Sequence, residues 1–344
     1  MKVLFLTQTS ELGPSSRYRV YQLVPLLRER GIDCEISPAI DEHSYRRMYL
    51  DRAGRGSRLA TFVDVWRKRR VDLERVGDFD AVFVQKGVFP GLSSVFEKKI
   101  AAHKPLVFDF DDAIWLPRQG GSPLLRILHR ERTVQDIMRR AAIVIAGNEF
   151  LADYAQRFNS NVTVVPSAVD TAHYRRSAGS AIVGWIGSST TLPYLNQLAS
   201  TFREMNLKPR VIASGDPGKL EFASEFRQWQ MDTEIEELAQ IGIGVAPLPD
   251  TPWERGKCGV KVLQYMACGI PVVASPVGVH NTIVQHGTTG FLAKNPADWK
   301  SYLTELIGDP QLRTKLGNAG RDLVQRNYDI RQAAERLASI LLAL

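Results

Sequence analysis

Cysteine is scarce in this chain. The three present, Cys34, Cys258 and Cys268, are odd in number and widely scattered. They build neither a disulfide framework nor a zinc site, so a reducing cytoplasm is the default setting. Histidine is thin as well: none of the six falls in a metal-ligand spacing, and none is given a catalytic role. No run approaches the 18 or so apolar residues of a membrane-spanning helix. The opening MKVLFLTQTS has an apolar stretch too short for a secretory signal and reads as a buried strand. An excess of charge or of polar residues is also missing. Apolar residues at 44% and charged residues at 24% sit near globular averages, which excludes a disordered chain.

What the chain has is length. At 344 residues it exceeds one ordinary core and suits two domains of roughly 150 residues each. Its net charge of +7 is concentrated. Residues 46–75 carry ten basic and four acidic side chains, a patch suited to an anionic membrane surface or another polyanion, or else a solvated helix face.

Short apolar runs alternate with stretches of helical periodicity. KVLFLT, DCEIS, DAVFVQ, PLVFDF, AIVIAG and NVTVVP come first, then AIVGWIG, RVIAS, IGIGVAPL, PVVAS and GFLA. Near-continuous apolar strands between helices predict parallel sheets covered on both faces, and two consecutive sets predict two doubly wound domains. Periodicity lapses over 166–180, which places the join near residue 170. Ligands of such sheets bind beyond the carboxyl ends of the strands, so a cleft between the domains is the expected site. In the last segment Ile330, Ala334, Leu337, Ile340, Leu341 and Leu344 share a helical face, predicted to cross back to the first domain.

Several stretches carry chemistry. GKCGVKVLQYMACGIPVVASPVG (256–278) reads as loop, helix and strand. Lys261 and Gln264 lie on one face of the helix's first turns, Lys257 lies just ahead of it, and Gly269 suits a left-handed cap. Two ammonium groups beside free helix N–H groups make a diphosphate cradle, or else are ordinary solvent-facing charges. VFDFDDAIWLP (107–117) puts Asp109, Asp111 and Asp112 at a strand end, where clustered carboxylates repel one another and are rarely structural. SELGPSSRYRVYQL (10–23) follows the first strand: Gly13 permits a tight backbone approach, and Arg17 and Arg19 are candidate phosphate holders, against a plain surface loop. VFVQKGVFPG puts Gln85 and Lys86 at a further strand end.

The stretch from Gly256 to Ala293 resembles the donor-binding region of glycosyltransferase family four, retaining enzymes of the GT-B fold. YMACGIPVVAS is close to the family's Ala-Met-Ala-Cys-Gly-x-Pro-Val-Val-Ala, VTVVPSAVDTAHY is similar to its interdomain linker, and AIVGWIGSSTTLPYL to the glycine turn opening its second domain. The family's pair of glutamates, eight apart, falls on Gly256 and Gln264. The resemblance implies that Gln264 holds the nucleotide ribose, that the sugar-reading position has no occupant at Gly256, and that Glu254 stands in for it. It implies phosphate contacts from Lys257, Lys261, Gly187 and Ser188, and a nucleotide base framed by Trp229 to Met231. Asp111 takes the place of the family's active-site histidine, with Asp112 after it. Asp109-Phe110-Asp111 also matches the Asp-x-Asp metal motif of the other large glycosyltransferase fold, but the lysine cradle favours the first reading and metal independence.

The resulting expectation is an α/β GT-B protein: two Rossmann-like domains facing across a cleft. Residues 1–170 would bind the acceptor, 171–325 the UDP- or GDP-linked sugar, and 326–344 would form the returning helix. Its activity would be retaining transfer to an acceptor hydroxyl, on a lipid-linked or polysaccharide glycan, with no cofactor and no metal. The setting would be cytoplasmic, peripheral on the inner face of the membrane. A sugar-nucleotide epimerase of the same architecture and a basic nucleic-acid-binding protein are the alternatives, the latter without any aromatic-interleaved platform.

Overall fold

The structure is a computed structural model that describes residues 1–50, 55–89, 93–117, 131–214 and 216–344, and the side chains of 49–50 and 55–60 lie outside the description. The described residues form two compact units. The first comprises Met1–Ser167, Arg255–Cys258 and Ile330–Leu344, and the second Ala168–Glu254 and Gly259–Asp329.

The first unit holds six strands: β1 (Lys2–Thr9), β2 (Asp33–Ile40), β3 (Ala81–Gln85), β4 (Leu106–Phe110), β5 (Ile143–Ala146) and β6 (Val162–Val164). They lie in the order β2-β1-β3-β4-β5-β6, each pair parallel. Strands β3, β4 and β5 are buried along their whole length, as a near-continuous apolar sequence, broken by Gln85 and Asp109, requires of a sheet covered on both faces. The sheet order reverses between β1 and β3, so their carboxyl ends flank a switch point, where ligands of such sheets bind. The closing helix Ile330–Leu342 belongs to this unit and buries Ile330, Ala334, Leu337 and Leu341. Leu344, expected on the same face, lies beyond the last turn and is exposed.

The second unit repeats the plan with β7 (Val183–Gly187), β8 (Arg210–Ala213), β9 (Glu225–Gln228), β10 (Ile243–Ala246), β11 (Val272–Ala274) and β12 (Gly290–Leu292), in the order β12-β11-β10-β7-β8-β9. All neighbours are parallel, and the switch falls between β7 and β10. Its core gathers Trp185, Phe202, Val245, Val273 and Leu303. Strand β9 escapes the apolar rule. Its sequence EFRQ is half-buried to exposed, as befits an edge. The helix Val260–Ala267 buries six of its eight residues, Val262 to Ala267, rather than one stripe. It ends as its sequence predicts: Gly269 sits at φ +68°. The Gly269 and Ile270 amides donate to the Met266 and Tyr265 carbonyls, a Schellman closure.

Within the basic stretch 46–75, Arg55–Glu74 forms a helix. Arg69 departs from the expectation of a charged surface, because it is fully buried. Its guanidinium donates to the carbonyls of Thr7, Ser37 and Val88 and pairs with Asp72 at 2.9 Å. This arginine binds its helix to β1 and β2. No helix among the described residues is long and apolar enough to cross a membrane.

Candidate active site

In the first unit the strand ends bring together charges far apart in sequence. Lys86 follows β3 with φ +59°, a left-handed backbone that side chains other than glycine seldom adopt. Its ammonium lies 2.7 Å from Asp111 Oδ1 and 2.5 Å from Asp112 Oδ2, and donates to Ser15 Oγ at 2.8 Å. Burial opposes the charge on Lys86, but the two carboxylates outweigh it and its pKa is raised, so the lysine stays protonated. Lys257 Nζ approaches the other Asp112 oxygen at 3.5 Å. Asp111, Asp112, Lys86 and Lys257 thus form one charge-compensated cluster.

Asp109 does not join it. Its carboxylate takes the guanidinium of Arg19, which also donates to the Val165 carbonyl at 2.6 Å. Both residues are buried. Asp109 beside it outweighs the penalty of burial and raises the Arg19 pKa. The phosphate-holding role expected of Arg19 is therefore not open: the side chain is an internal strut. Arg17 is buried too, its guanidinium 4.8 Å from the Tyr18 ring centre. Gly13 is needed for the reason expected, close approach, since a Cβ there would fall 1.9 Å from Thr9 Oγ1. Gln85 is fully buried and accepts from Ser16 Oγ and the Gln8 backbone N–H, which makes it a tie between β1, β3 and the short helix Pro14–Ser16.

The segment Arg255–Cys258 packs with this first unit. Asn148 caps the helix Glu149–Ala155 through Leu151 N, and its amide donates to the carbonyls of Gly256 and Lys257 at 3.0 and 3.1 Å. A Cβ on Gly256 would stand 2.8 Å from both the amide nitrogen and the Cβ of Ala113. The position that carries glutamate in the resembled family has no room here for any side chain. Cys258 lies under the cluster, its thiol donating to the Asp111 carbonyl at 3.3 Å, and burial pushes its pKa well up.

The second unit presents Lys261 and a ring of hydroxyls. Gly259, at φ +69°, introduces the helix Val260–Ala267, whose N-terminus no side chain caps. The Val262 and Leu263 N–H groups donate to the Gly259 carbonyl at 2.9 and 3.2 Å, and the partial positive end of the dipole favours an anion there. Lys261 Nζ sits 4.0 Å from the centre of the Trp185 ring. Beyond β7, Gly187 leads into Ser188, whose hydroxyl is 2.8 Å from Thr190 Oγ1. Gln264 is buried with its amide on Glu234 at 2.9 Å, and Glu234's other oxygen accepts from Trp229 Nε1 at 2.6 Å. His280 is buried, its Nδ1 3.0 Å from the Ser275 carbonyl oxygen, and burial foremost lowers its pKa to about 4.

Glu254 is buried, with Tyr194 Oη donating to one oxygen at 2.5 Å and Thr251 Oγ1 to the other. These two bonds tie Glu254 to Tyr194 and to its own loop. The two lysines of the expected cradle belong to different units, Lys257 to the first and Lys261 to the second. Asn148, Ser15 and Trp185 are the residues sequence reasoning passed over. Only Asn148 carries a sequence signal, since Asn before Glu-Phe-Leu is a helix start. Among the described residues no group of three or more His, Cys, Asp or Glu is arranged to hold a metal ion.

Both sheets have the GT-B plan, and solved structures agree. Sucrose-phosphate synthase from Thermosynechococcus elongatus superposes with a TM-score of 0.72 at 14% identity, over 99% of this chain and 98% of that one. HepE from Anabaena, solved in complex with UDP-glucose, does so at 0.66 and 16% identity over the whole of both chains. At such identities the likeness concerns the fold. Residues 212–309 match the family Glycosyl transferases group 1. Similar proteins include D-inositol 3-phosphate glycosyltransferases. The Thermobispora bispora protein is 34% identical over 28% of this chain and 22% of its own, and the Stackebrandtia nassauensis protein 25% identical over 59% and 54%. The matches thus span about half or less of these relatives. The architecture is GT-B, and residues 212–309 are similar to the glycosyl transferases group 1 family.

Proposed function

We propose that the chain is a retaining glycosyltransferase that moves a sugar from a nucleoside diphosphate to an acceptor hydroxyl. The observation that carries this is Lys261 at the uncapped start of Val260–Ala267, inside the matched segment. An ammonium and a helix N-terminus together offset the charge that develops as a diphosphate departs. The bond from the anomeric carbon to phosphate breaks, the acceptor oxygen bonds that carbon from the same face, and the leaving phosphate oxygen takes the acceptor's proton. Asp111 and Asp112, held by Lys86, orient hydroxyls and favour positive charge at the sugar carbon. The similar proteins support this class, since HepE was solved in complex with UDP-glucose and the sequence relatives are glycosyltransferases. They lend no support to the epimerase or nucleic-acid readings.

The test is a screen of UDP- and GDP-sugars for thermal stabilisation and hydrolysis, followed by Lys261→Ala. That variant should keep the fold and lose about 10²- to 10³-fold in turnover. Near-normal turnover on a verified donor would remove the cradle.

The finer reading includes a membrane. On the helix Arg55–Glu74, Phe62, Val63, Trp66 and Val71 are exposed, interleaved with exposed Arg67 and Arg70, and Arg70 lies 5.0 Å over the Trp66 ring. Apolar rings among arginines suit the headgroup layer of an anionic bilayer and favour a lipid-linked glycan as acceptor.

A further inference from the structure

Trp185 is costly where it stands. It is fully buried in β7, yet its indole N–H has no hydrogen-bond partner among the described residues. A buried donor without a partner weakens the fold, and a phenylalanine or leucine would fill a core position without burying such a group. Trp185 also constrains its strand. Residues two apart on a strand point to the same face, and a Cβ on Gly187 would meet the Trp185 ring at 2.5 and 2.6 Å. Gly187 must stay bare for the ring to lie across it.

What tryptophan supplies that other apolar residues supply less well is the negative face of its π system, the best of the natural rings for holding a cation. The cation is present: Lys261 Nζ is 4.0 Å from the ring centre. A lysine stem has four rotatable bonds, and its entropy resists fixing the ammonium in one place. A ring beneath one side of the ammonium fixes it in one place. The uncapped helix N-terminus lies one residue away.

We propose that Trp185 is a positioning residue for the donor diphosphate: laid across bare Gly187, its ring holds the Lys261 ammonium beside the N-terminus of the helix Val260–Ala267. The inference rests on the donor-site reading above and adds to it a reason for Gly187. The glycine serves the ring, and the ring serves the lysine.

The experiment weakens the π face without changing the fold. The full chain is produced with tryptophan, 5-fluorotryptophan and trifluorotryptophan, and its affinity for UDP and GDP is measured by calorimetry, alongside Lys261→Met made with the same three amino acids. All six tryptophans take the analogue, so the Lys261→Met series isolates the ring that acts through Lys261. Affinity of the wild-type chain should fall stepwise, by about three- to tenfold across the series, and the Lys261→Met series should be flat. In turnover, Trp185→Phe should recover much of what Trp185→Leu loses, with the loss in kcat rather than in acceptor KM. A flat wild-type series, or the same decline in Lys261→Met, overturns the role of the ring while leaving the donor site standing. An unlabelled wild-type chain that binds neither nucleotide sinks the donor-site reading and this inference with it.

Discussion

Asp111 and Asp109 are two residues apart and do different work. Asp109 is spent on Arg19 inside the core, whereas Asp111 meets Lys86 at the strand end. Asp111→Asn keeps the shape and removes the charge, so turnover should fall by about 10² or more with little change in donor affinity. An unchanged turnover with a lowered melting temperature would make the residue structural and move the assignment to Asp112. The same pairings bear on metals. The carboxylates that resemble an Asp-x-Asp motif already face a guanidinium and an ammonium, which a divalent cation would have to displace. Activity should therefore survive exhaustive chelation. Loss of turnover restored by manganese or magnesium would show that these pairs open.

At the scale of elements, the helix Arg55–Glu74 separates two kinds of arginine. Arg67 and Arg70 are exposed beside Phe62, Val63 and Trp66, while Arg69 is buried against β1 and β2. Co-sedimentation with phosphatidylserine-containing vesicles should fall with added salt, with Arg67→Gln plus Arg70→Gln, and with Trp66→Ala, at roughly 1 kcal/mol per removed charge. Binding indifferent to all three returns the face to ordinary solvent exposure. Arg69→Gln is a poor probe, since it should unfold the unit rather than release it. The sequence did not distinguish these arginines, because a charged residue within a basic run looks the same whether or not the chain closes over it. The apolar strands were legible throughout, because burial on both faces imposes near-continuous Val, Ile and Phe. The edge strand β9 was not, because Glu225 to Gln228 has one side open and needs no such run. The strand-end lysines and aspartates were legible as candidates. Their partners were not: Lys86 joins residues 25 and 26 positions away only once β3 and β4 pair. The bare Gly256 reads as a lost glutamate until Ala113 is seen against it.

For the whole molecule, the two units should answer acid in opposite directions. In the second, buried His280 has its pKa lowered from 6.5 to about 4, by burial first and by Lys261 as well. Between those values the unfolded chain binds a proton that the folded unit refuses. His280 therefore contributes its full stability above pH 6.5, and that stability is lost as pH falls towards 4, by about 3 kcal/mol at most. In the first unit, Glu97 is buried and its pKa is raised above 4.5, chiefly by desolvation. Here the folded unit holds a proton that the unfolded chain releases, so stability is greatest below pH 4.5 and declines as pH rises through the raised value. Two compact units need not melt in one step, and calorimetry from pH 7 to 4.5 should show their transitions moving apart or crossing. Conservative variants assign the two effects. His280→Asn should flatten the acid loss of one transition and leave the other alone, and Glu97→Gln should do the reverse. If His280→Asn melts with the same pH dependence as the wild-type chain, the folded unit takes up the imidazole's proton as readily as the unfolded chain does. Below pH 6.5 Lys261 would then have a second cation for a neighbour, and the anion site at the helix N-terminus would be more positive in that range.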